Sequence, residues 1–190
     1  EQDKNSPHRY VDNSEVLEGE YLFDCGAAEG IFALDNVEKF RHIYLFEVDE
    51  EWIKALQFSC EPYKEKITIV NKYLSDCYDG MQETIDHFVN EKRINLNAPI
   101  FIKMDVEGAE EQVLKGAEKV LNDSLNLNMA VCTYHKEHDE TTLYEVLKQY
   151  EGMQLEFTRG YMILYYDKAV SERFPDSYIR KGVLRAEKRR

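Results

Sequence analysis

Along the chain, short near-continuous apolar runs alternate with longer stretches in which apolar residues recur every three or four positions. The short runs at residues 21–23, 42–46, 67–70, 99–104 and 127–132 predict buried strands. Residues 31–40, with Ile31, Leu34, Val37 and Phe40 near one face, predict a helix. Trp52, Ile53 and Leu56 predict a short one, and residues 81–89 another, with Met81, Ile85 and Phe88 on one side. Two more are expected at about 107–121 and at 142–150, where Thr142 and Glu145 have the spacing of a capping box. Residues 155–158 and 161–166 predict a closing pair of strands, with Arg159-Gly160 as a two-residue hairpin turn. This alternation implies a mostly parallel sheet covered on both faces. Ligands of such sheets bind outside the carboxyl ends of the strands, so the residues just after each strand carry the information.

Residues 1–18 are polar and aperiodic and read as a lead-in; residues 19–167 read as the domain. In residues 168–190 bases outnumber acids, which reads as a solvated tail. The 190 residues, 43% hydrophobic and 32% charged, suit one domain with a real core and exclude wholesale disorder. Thirty-seven acids against 24 Lys plus Arg leave a net charge of −13, which argues against a nucleic-acid partner. The longest apolar run, 161–166, is too short to span a bilayer, and no segment has the pattern of a signal peptide. A cytoplasmic protein without a membrane partner is the expectation. The chain starts at Glu1 rather than Met, as a processed or trimmed chain would. Cys25, Cys60, Cys77 and Cys132 show no CxxC spacing and read as reduced thiols, not a zinc site or disulfide framework.

The first strand runs into Asp24-Cys25-Gly26-Ala27-Ala28-Glu29-Gly30, a D-x-G-x-x-x-G loop opening a helix. The dinucleotide fingerprint G-x-G-x-x-G would need Gly where Asp24 and Glu29 stand, and both acids would repel a pyrophosphate. A carboxylate here suits a cationic ligand such as an ammonium or sulfonium group. A strand-to-helix turn with Gly for steric reasons is the plainer alternative. The second strand ends in Glu47-Val48, one strand-helix-strand unit on, where an acid can accept both hydroxyls of a ribose. In residues 101–110 a strand runs directly into a helix, with Asp105 at the carboxyl end and Glu107 and Glu110 in the expected first turn. His135 follows the fifth strand, where a histidine suits general-base work. Asp105, Glu107 and His135 could share a divalent ion, but such a cluster arises easily in an acid-rich chain, and no metal is assigned. Tyr73 and Tyr134 are placed to touch a ligand.

The Asp24–Gly30 loop, the acid at Glu47, the run from Ile102 through Asp105-Val106-Glu107-Gly108-Ala109-Glu110, and Val113-Leu114-Lys115-Gly116-Ala117 resemble the FkbM-type class I methyltransferases. The resemblance extends from about residue 20 to 167. It implies an α/β, Rossmann-like fold with a seven-stranded, mostly parallel sheet of order 3-2-1-4-5-7-6 and a terminal hairpin. It also implies S-adenosylmethionine as cofactor. Asp24, Gly26, Ala28 and Gly30 would then surround its methionine moiety, Glu47 and Val48 its ribose, and Ser75 and Asp76 its adenine. Asp105 would face the methyl group, and Asp105 or His135 would serve as base. The expected reaction is O-methylation of a small molecule or glycan. A nicotinamide-dependent oxidoreductase and a non-catalytic nucleoside-binding domain remain as alternatives. The chain departs from the family at Ala28-Glu29, where Asn or His is common, and at Thr133, where an acid often stands. Acceptor and oligomeric state are not legible.

Overall fold

The computed structural model describes residues 3, 5–11, 17–163 and 179–189. Seven strands form one sheet: β1 (Gly19–Cys25), β2 (Phe40–Phe46), β3 (Ile67–Val70), β4 (Ile100–Met104), β5 (Asn126–Cys132), β6 (Met153–Phe157) and β7 (Val183–Arg189). Their order is β3-β2-β1-β4-β5-β7-β6. The first five pair in parallel, and β7 runs antiparallel to both β5 and β6. This is the expected seven-stranded order. The strand order reverses between β1 and β4, the switch point at which such sheets bind ligands.

The seventh strand is not the one expected. Residues 183–189, read from their charge as part of a tail, insert between β5 and β6. Charge misleads there because the strand alternates: Val183, Leu184 and Ala186 are buried, while Arg185 and Glu187 lie on the more open face. Lys188 is buried too, its ammonium donating to the Leu121 and Asn122 carbonyls at the end of a helix. Of the strand expected at 161–166, residues 164–166 lie outside the described residues. Met162–Ile163 pairs with Ile179–Arg180, so Arg159-Gly160 does not join two neighbours of the main sheet.

Helices α1 (Ile31–Asp35), α2 (Glu50–Ser59), α3 (Ile85–Lys92), α4 (Glu110–Lys115), α5 (Glu118–Asp123) and α6 (Asp139–Leu147) connect the strands. Several are shorter than their periodicity predicts, for local reasons. The 31–40 stretch breaks at Asn36 into a 3-10 turn, and Phe40 already belongs to β2. Helix α3 starts at the Thr84 cap, whose hydroxyl accepts from the His87 N–H; Met81 before it is exposed. Helix α6 begins three residues before Thr142. The 107–121 helix is two, divided at Gly116-Ala117. A side chain at Gly116 would overlap the Ser75 carbonyl, so close packing keeps glycine there and the break with it.

Two apolar cores lie on the two faces of the sheet. One gathers Phe23, Phe46, Phe88, Ile102, Met104, Val113 and Leu143. The other gathers Leu22, Ala33, Ile43, Leu45, Leu56, Phe101 and Ala130. Tyr10 and Leu17 join the second, so the lead-in packs on the domain. Its backbone is held by the Thr158 hydroxyl on the Pro7 carbonyl and by the Arg185 guanidinium on the Arg9 carbonyl. Among the described residues no helix is long and apolar enough to cross a membrane.

Candidate active site

A cavity of about 350 Å³ opens at the carboxyl ends of β1, β2, β3 and β4. Its walls are Gly26 and Ala28 after β1, residues 46–49 at the end of β2, residues 72–74 after β3, Asp105, Val106, Glu107 and Ala109 after β4, and Trp52 of α2. The size suits a cofactor-sized ligand.

The wall after β1 is shaped by its neighbours. The Gly26 N–H donates to the Phe46 carbonyl, and the Asp105 N–H donates to the Cys25 carbonyl. A Cβ on Gly26 would overlap the Asp105 carbonyl, and its φ of 74° is left-handed, so glycine is required twice over. The glycine thus brings two strand ends together. Glu47 accepts from the Ala28 N–H (2.8 Å), the Val48 N–H (2.7 Å) and the Asp49 N–H (2.9 Å). Its carboxylate clamps the first loop to the end of β2 while lining the cavity. Asp49 caps α2 and lines the cavity beside it.

Asp24 does not face the cavity. It is fully buried, in register with Lys103 on the adjacent strand, and the two form an ion pair at 3.0 Å. Lys103 also donates to the Gly26 carbonyl. Burial works against the Lys103 charge, but Asp24 and Asp105 more than offset it and raise its pKa. Gly30 caps α1 and faces Leu56, away from the cavity wall. Ser75 and Asp76 also lie off the wall, because the segment after β3 meets the cavity two to three residues earlier, at Lys72, Tyr73 and Leu74. Lys72 is itself pinned to the buried Glu83 at 3.0 Å.

Asp105 is the hub of the site. Its Oδ2 accepts from the Tyr10 hydroxyl at 2.7 Å and lies 3.7 Å from His8 Nε2. Its Oδ1 accepts from the Tyr134 hydroxyl at 3.2 Å and lies 3.2 Å from His135 Nε2. Burial opposes its charge, but the histidine contacts, Lys103 and Tyr10 outweigh burial and hold its carboxyl far below the usual range. The other ring nitrogen of His135 lies 2.8 Å from the buried Glu110. Burial disfavours the imidazolium, yet Asp105 and Glu110 together raise its pKa to about 10. The two carboxylates thus favour the imidazolium form of His135, which weighs against the base role expected from its position. Asp105, Glu110 and His135 lie close enough to hold a cation. In this arrangement, however, the imidazolium itself occupies the place between the two carboxylates.

Glu107 and Gly108 form a left-handed turn rather than the first turn of a helix, with φ of 52° and 94°. Glu110 folds back and accepts from the Val106 and Gly108 N–H groups, closing that turn. Sequence reasoning missed Trp52, Asp49, Lys72 and Leu74 in the wall, and His8 and Tyr10 behind Asp105. For Trp52 the signal was present: the chain's single tryptophan sits one turn after the Glu47 strand end.

The model of the methyltransferase FkbM domain matches residues 72–167, just over half of the chain. No curated protein matches the sequence. Among solved structures, an FkbM methyltransferase from Methylobacillus flagellatus KT is 22% identical with a TM-score of 0.64. The match covers 92% of this chain but 45% of that one, so the chain spans less than half of that protein's length. A precorrin-6y C5,15-methyltransferase from Geobacter metallireducens is 10% identical, with a TM-score of 0.56 over 93% of this chain and 82% of the other. A protein of Streptococcus mutans assigned as a methyltransferase, in complex with SAH, is 11% identical, with a TM-score of 0.54 over 90% and 89%. These likenesses show a shared fold.

Proposed function

The chain belongs to the FkbM methyltransferase family, and from that premise we propose that it methylates a hydroxyl of a small molecule or glycan, using S-adenosylmethionine. The observation that carries this reading is the cavity at the switch point, with the Glu47 and Asp105 carboxylates both in its wall. Glu47 ends β2, where it can accept ribose hydroxyls while keeping its bonds to the loop. Trp52 and Tyr73 offer aromatic faces for a purine, and Gly26 and Ala28 line the wall nearest Asp105. The residues present therefore fit a nucleoside with a cationic tail. Glu47, Asp49, Asp105 and Glu107 in one wall set would repel the pyrophosphate of a dinucleotide, which weighs against the nicotinamide alternative.

When bound, the sulfonium supplies an already activated methyl group. The protein's share of the work is alignment, which can be worth up to ~7–11 kcal/mol of barrier. Asp105, anchored from both oxygens, keeps a fixed negative charge beside the cavity that favours a cation there. It is also positioned to take the acceptor's proton. His135 acts as a positioning imidazolium that holds Asp105 against Glu110. The test is donor turnover with methyl-labelled S-adenosylmethionine across a panel of hydroxylated sugars and small metabolites. Labelled ether with at least one acceptor supports the reading. Tight binding of the donor with no transfer across the panel, and none to water, would favour a non-catalytic nucleoside-binding role.

A further inference from the structure

Beside Asp105 of the cavity wall, the lead-in places an aromatic hydroxyl directly on the carboxylate. The Tyr10 oxygen donates to Asp105 Oδ2 at 2.7 Å. The phenol ring has a built surround. The Phe32 ring meets it edge-on at 5.3 Å between centroids, and the His8 ring at 5.1 Å. The Lys103 ammonium lies 5.4 Å from its centroid. Tyr10 is 7% exposed.

The four donors around Asp105 have different origins. Tyr134 and His135 follow β5 and are part of the sheet's carboxyl end. Tyr10 and His8 come from the lead-in, outside both the sheet and the stretch matched by the family model. On Oδ2 the Tyr10 hydroxyl is the donor within hydrogen-bond reach, with His8 Nε2 3.7 Å away and itself 2.9 Å from the Tyr134 hydroxyl. An acceptor hydroxyl that takes the Tyr10 position meets Oδ2 where the lead-in now donates. Tyr10 makes the shortest of these contacts, through the same functional group that a substrate would present.

We propose that the seat filled by the Tyr10 phenol is the acceptor subsite, that it takes an aromatic hydroxyl, and that Tyr10 holds it closed as an internal substitute. This rests on the methyltransferase reading above. In the working complex the acceptor's hydroxyl takes the place of the Tyr10 oxygen on Asp105 Oδ2. The acceptor oxygen forms the new O–C bond as the donor's C–S bond breaks, with the bonding pair staying on sulfur. The hydroxyl proton passes to Asp105 Oδ2 and from there to water. A weakly basic carboxylate suffices for this step, because an ether oxygen carrying a proton is a far stronger acid than a carboxylic acid.

The experiment uses p-cresol, which is the tyrosine side chain as a free molecule. Tyr10→Ala empties the seat, and Tyr10→Phe keeps the ring while removing the hydroxyl. Calorimetry and melting temperature are measured with p-cresol for wild type and both variants, without any donor. SAH binding is measured in parallel, and 4-methylanisole is then sought with S-adenosylmethionine present. The expected result is that p-cresol binds Tyr10→Ala at least ~10-fold more tightly than wild type or Tyr10→Phe, as a matched ligand fills an engineered cavity. Only Tyr10→Ala should then form 4-methylanisole. Failure of p-cresol to bind Tyr10→Ala overturns the seat. Binding of p-cresol and of SAH without any ether overturns its role as acceptor subsite. Absence of SAH binding by wild type removes the methyltransferase reading, and this one with it. If Tyr10→Ala is unfolded alone, refolding is compared with and without p-cresol: recovery by p-cresol supports the seat, and no recovery counts against it.

Discussion

His135 Nε2 stands 3.2 Å from Asp105 Oδ1, and Nδ1 of the same ring stands 2.8 Å from Glu110 Oε1. An imidazole between two carboxylates is stabilised in its charged form. Its pKa is raised from 6.5 to about 10, despite burial that works the other way. The stabilisation this adds to the fold is fully present below the unfolded value of 6.5 and is lost as pH rises toward about 10. The ring resonances of His135 should therefore titrate with a midpoint near 10, and the melting temperature should fall over that window less steeply in His135→Gln. A His135 midpoint near neutrality would restore it as a base and contradict this account.

Asp24 and Lys103 illustrate a site residue that became a structural one. They occupy paired positions on adjacent parallel strands, with both side chains buried. Lys103→Met should leave a buried carboxylate and cost ~3–5 kcal/mol of stability, whereas the double change Asp24→Leu with Lys103→Met should recover most of it. Urea unfolding of the two variants beside the wild type decides the matter. A double variant as unstable as the single one would mean that the pair is not what Asp24 is for.

Much of this was legible in the sequence. Near-continuous apolar runs identified five parallel strands, and the residues that follow them at Gly26, Ala28, Glu47, Val48 and Asp105 do line the cavity. Asp24 was misplaced because a strand's last charged residue looks the same from the sequence whether it meets a ligand or a lysine from the strand beside it. That partner lies 79 positions away, so nothing local could reveal it. His8 and Tyr10 were missed for a related reason: a polar, aperiodic lead-in carries no element signal, and the adjoining Pro7 docks on Gly182 and Thr158, far along the chain. The strand at 183–189 hid behind its own charges.

The close approach of the first loop to Asp105 makes Gly26 and Gly108 unequal, although both have positive φ. At Gly26 a methyl group would meet backbone, which cannot yield; at Gly108 it would meet the flexible end of Lys136 at 3.1 Å. Gly26→Ala should cost ~4 kcal/mol or more, among the rare severe substitutions. Gly108→Ala should cost only the left-handed penalty of ~1–2 kcal/mol. Similar melting temperatures for the two variants would remove the steric argument.

Glu47 is expected to read ribose. Glu47→Gln should weaken binding of S-adenosylhomocysteine by ~1–3 kcal/mol, the range for hydrogen bonds to a charged group. The wild type should also prefer that ligand to its 2′-deoxy and 3′-deoxy analogues, and the variant should lose the preference. Because Glu47 also ties down Ala28, the melting temperature should drop modestly as well. Unchanged preference between the ribose and deoxyribose ligands in Glu47→Gln would place the hydroxyls elsewhere.

S-adenosylmethionine is expected to occupy the cavity beside Asp105. Trp52 is the chain's single tryptophan and stands in that cavity's wall, so its emission reports on this cavity directly. The deciding measurement is a fluorescence titration with S-adenosylmethionine, S-adenosylhomocysteine and NAD. The account predicts a saturable change with the first two, shifted to higher ligand concentration by Glu47→Ala, and none with NAD. An emission unmoved by both adenosyl ligands, or a saturable response to NAD that they fail to displace, would contradict it.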